Sequence, residues 1–140
     1  MQTIATVLER LADAYRRREP ATLAALYAPE AVVSSPMFPH ARGRAAIEQS
    51  FASLFRIFPD WDLAFEDATC TNAHRAMQAC KVKATQQSDF MGVPGSGRRV
   101  QFDCVLILDI DNGLITHERR IYDFTGVLIQ LGVLRGKPAS

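Results

Sequence analysis

An α+β domain is what this sequence predicts: helices first, then a curved antiparallel sheet, then a short closing helix. Three observations point there. Apolar residues recur at helical spacing as far as Phe58 and alternate at strand spacing from Trp61 onward. The period changes once, so helices and strands are segregated along the chain. Asn112-Gly113 separates the strongest alternating run from the next, where a hairpin needs positive φ angles.

Each element has its own signal. Ile4, Val7, Leu8, Leu11 and Ala14 fall on one helical face, and Thr3 is a suitable cap. Pro20 fits the first turn of a second, short helix carrying Leu23, Leu26 and Tyr27. Ala31 to Ser35 reads as a short strand ended by Pro36 and Pro39. Gly43 opens a third helix with Ile47, Phe51, Leu54, Phe55 and Phe58 on one face, and Pro59 stops it. Trp61, Leu63 and Phe65 then alternate with polar or small residues. In the 75–85 run, Ala76, Gln78, Cys80, Val82 and Ala84 face one way, and Lys81 and Lys83 the other. Val100, Phe102, Cys104, Leu106, Leu108 and Ile110 form the strongest alternation. Val105 and Ile107 make the opposite face apolar too, which predicts a central strand covered on both sides. The glycine-rich 92–97 stretch precedes a strand, so it lacks the helix a phosphate cradle requires. The last strand runs from Leu114 to Tyr122, and a closing helix carries Val127, Leu128, Leu131 and Leu134. Three N-terminal helices wrapped on one face of a strongly bent sheet make a cone, and its interior is a natural small-molecule pocket.

The chain of 140 residues reads as a single domain, 1–140, with 48% apolar and 22% charged residues. Sixteen basic and fifteen acidic residues leave a formal charge of +1, which gives no reason to expect nucleic acid or an anionic membrane as a partner. Cys70, Cys80 and Cys104 are odd in number and form no C-x-x-C, as expected of free thiols in a reducing compartment. The N-terminus carries charges throughout, unlike a signal peptide, and no run approaches a membrane span, so a cytoplasmic location is expected. No histidine, cysteine or carboxylate spacing suits a metal.

The chemistry concentrates in His117-Glu118-Arg119-Arg120-Ile121-Tyr122-Asp123. Alternation puts Glu118, Arg120 and Tyr122 on one face, and His117, Arg119, Ile121 and, until the strand ends, Asp123 on the other. Whichever face turns inward, the pocket receives an arginine, which must be paired there. The bland alternative is a solvated face or a ladder between subunits. Asp123 has two readings as well. It is a favoured N-cap for the closing helix, or a catalytic carboxylate; the two roles are compatible.

Phe58-Pro59-Asp60-Trp61, the 90–100 stretch FMGVPGSGRRV and D-x-x-G-x-L-x-Q-L-G from Asp123 to Gly132, together with the order of elements, resemble the SnoaL-like polyketide cyclases. These lie within the nuclear-transport-factor-2-like superfamily, beside ketosteroid isomerases and limonene epoxide hydrolases. The resemblance covers nearly the whole chain. It implies a cone with a deep apolar pocket, no metal, no organic cofactor and a homodimer. It implies that Asp123 is the acid/base of an intramolecular aldol closure, and it turns Glu118, Arg120 and Tyr122 inward. A carboxylate walled by Phe102, Leu106 and Phe124 would have a raised pKa suited to deprotonation beside a carbonyl. His40, following a segment that forms a pocket lip in the relatives, becomes a candidate gate or second proton carrier, against a plain surface role.

Departures narrow the chemistry. Where the epoxide hydrolases carry an Arg-x-Asp and a further aspartate, this chain has Cys80, Val82 and Arg120; their tyrosine and asparagine become Val33 and Ser35. Where the cyclases carry an aromatic residue in the last strand, this chain has Glu118-Arg119-Arg120, which suits a pocket with a buried charge pair better than a flat polyaromatic substrate. The expectation is therefore a cofactor-free enzyme for a small apolar carbonyl compound, of aldol cyclase or isomerase type. Asp123 shuttles the proton, Arg120 and Tyr122 stabilise the enolate, and Glu118 orients Arg120. Ser35, Met37, Phe58, Trp61, Cys80, Val82, Phe102, Cys104 and Leu106 shape the cavity, with Phe38, Met77 and Met91 at its entrance. The competing class is a non-catalytic binding or assembly module of the same fold. A third is an epoxide or lactone hydrolase using Asp60 or Asp62.

Overall fold

The computed structural model describes residues 3–38 and 40–135. Pro39, expected to help end the first strand, lies outside them, as do the two ends of the expected 1–140 domain. The elements are α1 (Ile4–Arg17), α2 (Pro20–Ala24), β1 (Tyr27–Ser34), β2 (Ala41–Arg42), α3 (Arg44–Ile57), β3 (Asp62–Cys70), β4 (Arg75–Thr85), β5 (Arg99–Asp111), β6 (Leu114–Tyr122) and α4 (Phe124–Gln130).

The helix signals act as physics requires. Thr3 Oγ1 accepts the Thr6 N–H at 3.2 Å and opens α1. Pro20 takes the first position of α2, where its missing N–H costs nothing. Gly43 turns the chain into α3 at φ +88°, a left-handed angle that disfavours side chains with a Cβ. Asn112 and Gly113 both take positive φ in the β5–β6 hairpin. The second helix is shorter than its apolar spacing predicts. It ends at Ala24, so Tyr27 is the first residue of β1 instead of a helix residue.

The sheet is curved, unclosed and six-stranded, in the order β2-β1-β6-β5-β4-β3. It is mixed and not wholly antiparallel: β1 runs parallel to β6, with Val33 opposite Glu118, while the other described pairs are antiparallel. The β1–β6 register shifts between Tyr27 and Val32, around Pro29, which has no N–H to give a ladder.

The core lies between the inner face of the sheet and the helices. Leu11, Leu23, Ile47, Phe51 and Phe58 are completely buried against Leu106, Leu108 and Ile115. Burying each such side chain contributes about 1.5–3 kcal/mol. Tyr15 packs edge-on against Phe51 with centroids 5.7 Å apart, which ties α1 to α3. The helices cover one face only. β5 is central, as expected, but its outer residues Val105 and Ile107 are half-buried and their neighbours Met77 and Ile121 are exposed. The expectation of cover on both faces does not hold within one chain. No helix of the described residues is long and apolar enough to cross a membrane.

Candidate functional site

A cavity opens inside the cone, between α1, α3, the inner faces of β3 to β6 and the lip that follows β1. Its space open to the centre of a water-sized sphere is about 30 Å³. That is enough for a water or two, and far below the few hundred cubic ångströms of a preformed drug-sized site. Of the residues expected to shape it, Ser35, Met37, Trp61, Val82, Phe102, Cys104 and Leu106 line it, together with Arg120 and Tyr122.

β6 sets the polar wall. Strand alternation turns Glu118, Arg120 and Tyr122 inward and leaves His117 and Arg119 exposed. Arg120 Nε donates to Glu118 Oε2 at 2.6 Å, with the arginine side chain 10% exposed and the glutamate completely buried. Tyr27 donates its hydroxyl to the other oxygen, Glu118 Oε1, at 2.7 Å. The guanidinium also lies 5.3 Å from the centre of the Phe51 ring. Burial pulls the Arg120 pKa down, but the Glu118 carboxylate outweighs it and holds the group firmly charged. Burial and the same carboxylate push the Tyr27 phenol up. Among the described residues, one donor of the arginine fork, Nη2, is buried without a partner, and so is the Trp61 indole N–H. Both belong to side chains that line the cavity.

Tyr122 joins this wall to the lip. Its phenolic oxygen accepts the Met37 N–H at 2.9 Å and shares a hydrogen bond with Ser35 Oγ at 3.1 Å. Burial raises its pKa, against the pull of the Ser35 bond, so the phenol stays protonated at neutral pH. Tyr15, Phe38, Leu54 and Leu63 complete the lining. Leu54 and Leu63 carry apolar spacing that marked them for the core; Tyr15 stands four residues after Leu11 and seven after Leu8 on the buried face of α1, a spacing that could have marked it too. Burial pushes the Tyr15 phenol up as well. Tyr27 is the partner that sequence spacing missed, because its contact with Glu118 spans most of the chain.

Other expected residues lie elsewhere. Asp123 is exposed and does not line the cavity; its Oδ1 accepts the Gly126 N–H at 2.9 Å, capping α4. The strand ends at Tyr122 and Asp123 takes the N-cap position, so the carboxylate turns to the helix and water, and the apolar walls expected around it are missing. Phe58 and Cys80 are buried in the core behind the cavity. His40 is exposed and its Nδ1 shares a hydrogen bond with Ser34 Oγ at 3.0 Å. Met77 lies on the outer sheet face and Met91 on an exposed loop, so neither forms the entrance. The hydrolase reading loses its base: Asp60 Oδ1 accepts the Thr85 N–H at 2.7 Å, Asp62 is exposed, and neither lines the cavity. Cys104 lines it, but burial pushes that thiol to about 11 and the Cys80 thiol to about 12, so both are poor nucleophiles. Among the described residues no three His, Cys, Asp or Glu come together to hold a metal ion.

The family model of SnoaL-like polyketide cyclases matches residues 5–131. The chain is similar to IdmH, a candidate polyketide cyclase from Streptomyces antibioticus, at 25% identity and TM-score 0.74, covering 91% of this chain and 97% of that one. It is similar in fold to a SnoaL-like polyketide cyclase from Agrobacterium tumefaciens, at 22% identity and TM-score 0.76, covering 94% and 100%. A hypothetical protein with a ketosteroid isomerase-like fold from Catenulispora acidiphila, crystallised with trimethylamine, matches in fold at 16% identity and TM-score 0.79, covering 94% and 97%. No curated protein matches the chain.

Proposed function

The chain belongs to the SnoaL-like polyketide cyclase family, and on that premise we propose that it acts on a small, largely apolar carbonyl compound by cyclase- or isomerase-type chemistry. The observation that carries this reading is Arg120: largely buried, clamped through Nε by Glu118, and with Nη2 beside a cavity and without a partner among the described residues. A fixed cationic donor in a dry site stabilises negative charge developing on a carbonyl oxygen far better than water does. Tyr122, kept protonated by burial, is a second donor. Glu118 orients the arginine. Asp123 has no part in this proposal. The lining residues include no carboxylate and no imidazole, so the site suits a carbon acid that ionises readily once its carbonyl is polarised, with water at the mouth taking the proton.

A second reading, ligand binding without turnover, is favoured by that missing base and by the narrow cavity. One experiment separates the two. Small ketones and 1,3-dicarbonyl compounds are screened for consumption by the wild type, Tyr122→Phe, Arg120→Lys and Asp123→Ala. The enzyme reading expects turnover that falls roughly a hundredfold in Tyr122→Phe and Arg120→Lys. It expects Asp123→Ala to keep its rate and lose about 1 kcal/mol of stability. Tight binding with no consumption of any compound sinks the enzyme reading and leaves the binder.

The expected homodimer is likewise a proposal. On the outer sheet face Met77 pairs across strands with Ile107, and Val105 with Ile121, forming an apolar strip suited to a second copy of the chain.

A further inference from the structure

Arg120 meets Glu118 through Nε. Nε serves Glu118, while Nη2 and the nearby cavity residue Trp61, through its indole N–H, have no acceptor among the described residues. Buried donors left without partners are costly, so a ligand that brings an acceptor oxygen relieves them. Either an uncharged carbonyl or a carboxylate has such an oxygen, and the local charge decides between them.

Glu118 accepts at both oxygens, from Tyr27 and from Arg120, and so stands as the carboxylate. It already balances the arginine. The other titratable groups facing this pair are Tyr15 from α1, Tyr27 from β1, Cys80 from β4, Cys104 from β5 and Tyr122 from β6, and burial holds all of them in their neutral forms. From α3 the contacts are Phe51 and Leu54, which carry no charge. The site therefore holds one cation and one anion in apolar surroundings. A bound carboxylate would leave two anions sharing one cation where water cannot screen them. A neutral carbonyl accepts from Nη2 and disturbs nothing.

We propose that the cavity selects an uncharged acceptor, such as a ketone, aldehyde, lactone or amide carbonyl, and rejects the carboxylate of the same shape, with Glu118 as the residue that sets this preference. The inference rests on reading the cavity as a carbonyl site and goes beyond it by fixing the charge of the ligand.

The test uses three probes of matching shape: isobutyl methyl ketone, isovaleramide and isovalerate. The sequence has a single tryptophan, so its indole N–H is one assignable proton signal, and its shift on titration reports binding. Wild type is expected to bind the ketone and the amide roughly tenfold to a hundredfold more tightly than isovalerate at pH 7. Isovalerate is expected to bind as the acid, with about one proton taken up, read by calorimetry in buffers of different ionisation enthalpy. Glu118→Gln, which keeps the shape and an acceptor for Arg120 Nε, is expected to erase or reverse the preference. Isovalerate binding as tightly as the ketone without proton uptake overturns the proposal. So does failure of both neutral probes to move the indole signal, and so does an unchanged preference in folded Glu118→Gln. If that variant does not fold, the proton-uptake measurement on wild type decides alone. Because the readout is binding, an absence of turnover bears only on the enzyme reading.

Discussion

Tyr27 holds the far end of the buried charge pair. Without its hydroxyl, Glu118 Oε1 has no donor, and a charged oxygen would sit unsatisfied in the core. Tyr27→Phe is therefore expected to lose about 1–3 kcal/mol in urea unfolding; a loss within about 0.5 kcal/mol would mean the bond carries no weight. Alternation grouped Glu118, Arg120 and Tyr122 on one face but left open which face turns inward, since both carry an arginine; the family resemblance pointed to the face that is buried. The role of Tyr27 was not legible, because its contact with Glu118 depends on how distant elements stack. Asp123 shows the limit of position along the chain. The strand ends at Tyr122 as expected, and the N-cap position sends the next carboxylate to the helix and water in place of the cone.

β4 and β5 place Cys80 directly opposite Cys104, on the inner face. Both thiols are shifted upward from 9.0, chiefly by burial, to about 12 and about 11. In the unfolded chain they lose protons near pH 9, while in the folded chain they keep them to about pH 11. Folding stability is thus fully present below pH 9 and falls as pH rises through that window. The slope should be of order 1 kcal/mol per pH unit, and Cys80→Ala/Cys104→Ala should flatten it in urea titrations between pH 8.5 and 10.5. An unchanged slope removes the thiols as its cause. At this scale the sequence was most informative: caps, turns and alternation are local, and Leu114–Tyr122 has the bounds expected. Where an element departed, a local reason exists. β1 begins at Tyr27 and not at Ala31, and its register against β6 shifts around Pro29, which has no ladder hydrogen.

The one-sided packing of helices leaves the outer sheet face with an apolar strip that a second copy is proposed to cover. Placing a charge there tests it. Ile121→Asp is expected to convert a dimer into a monomer in sedimentation at micromolar concentration, with secondary structure retained; a wild type already monomeric refutes the dimer. The α+β class and the cone were legible from the change of period. The mixed sheet was not, because which strand lies beside β6 is settled by three-dimensional closure and leaves no mark in the spacing of side chains. The insertion of β6 between β1 and β5 has a consequence for how the protein is made. A ribosome that has released the chain through β5 but not β6 has delivered β1 and β5, whose inner edges cannot yet meet, and each is open to sticking elsewhere. Assembly of the sheet waits on β6, so synthesis of this chain should depend more on being shielded from its neighbours than the brevity of its loops suggests.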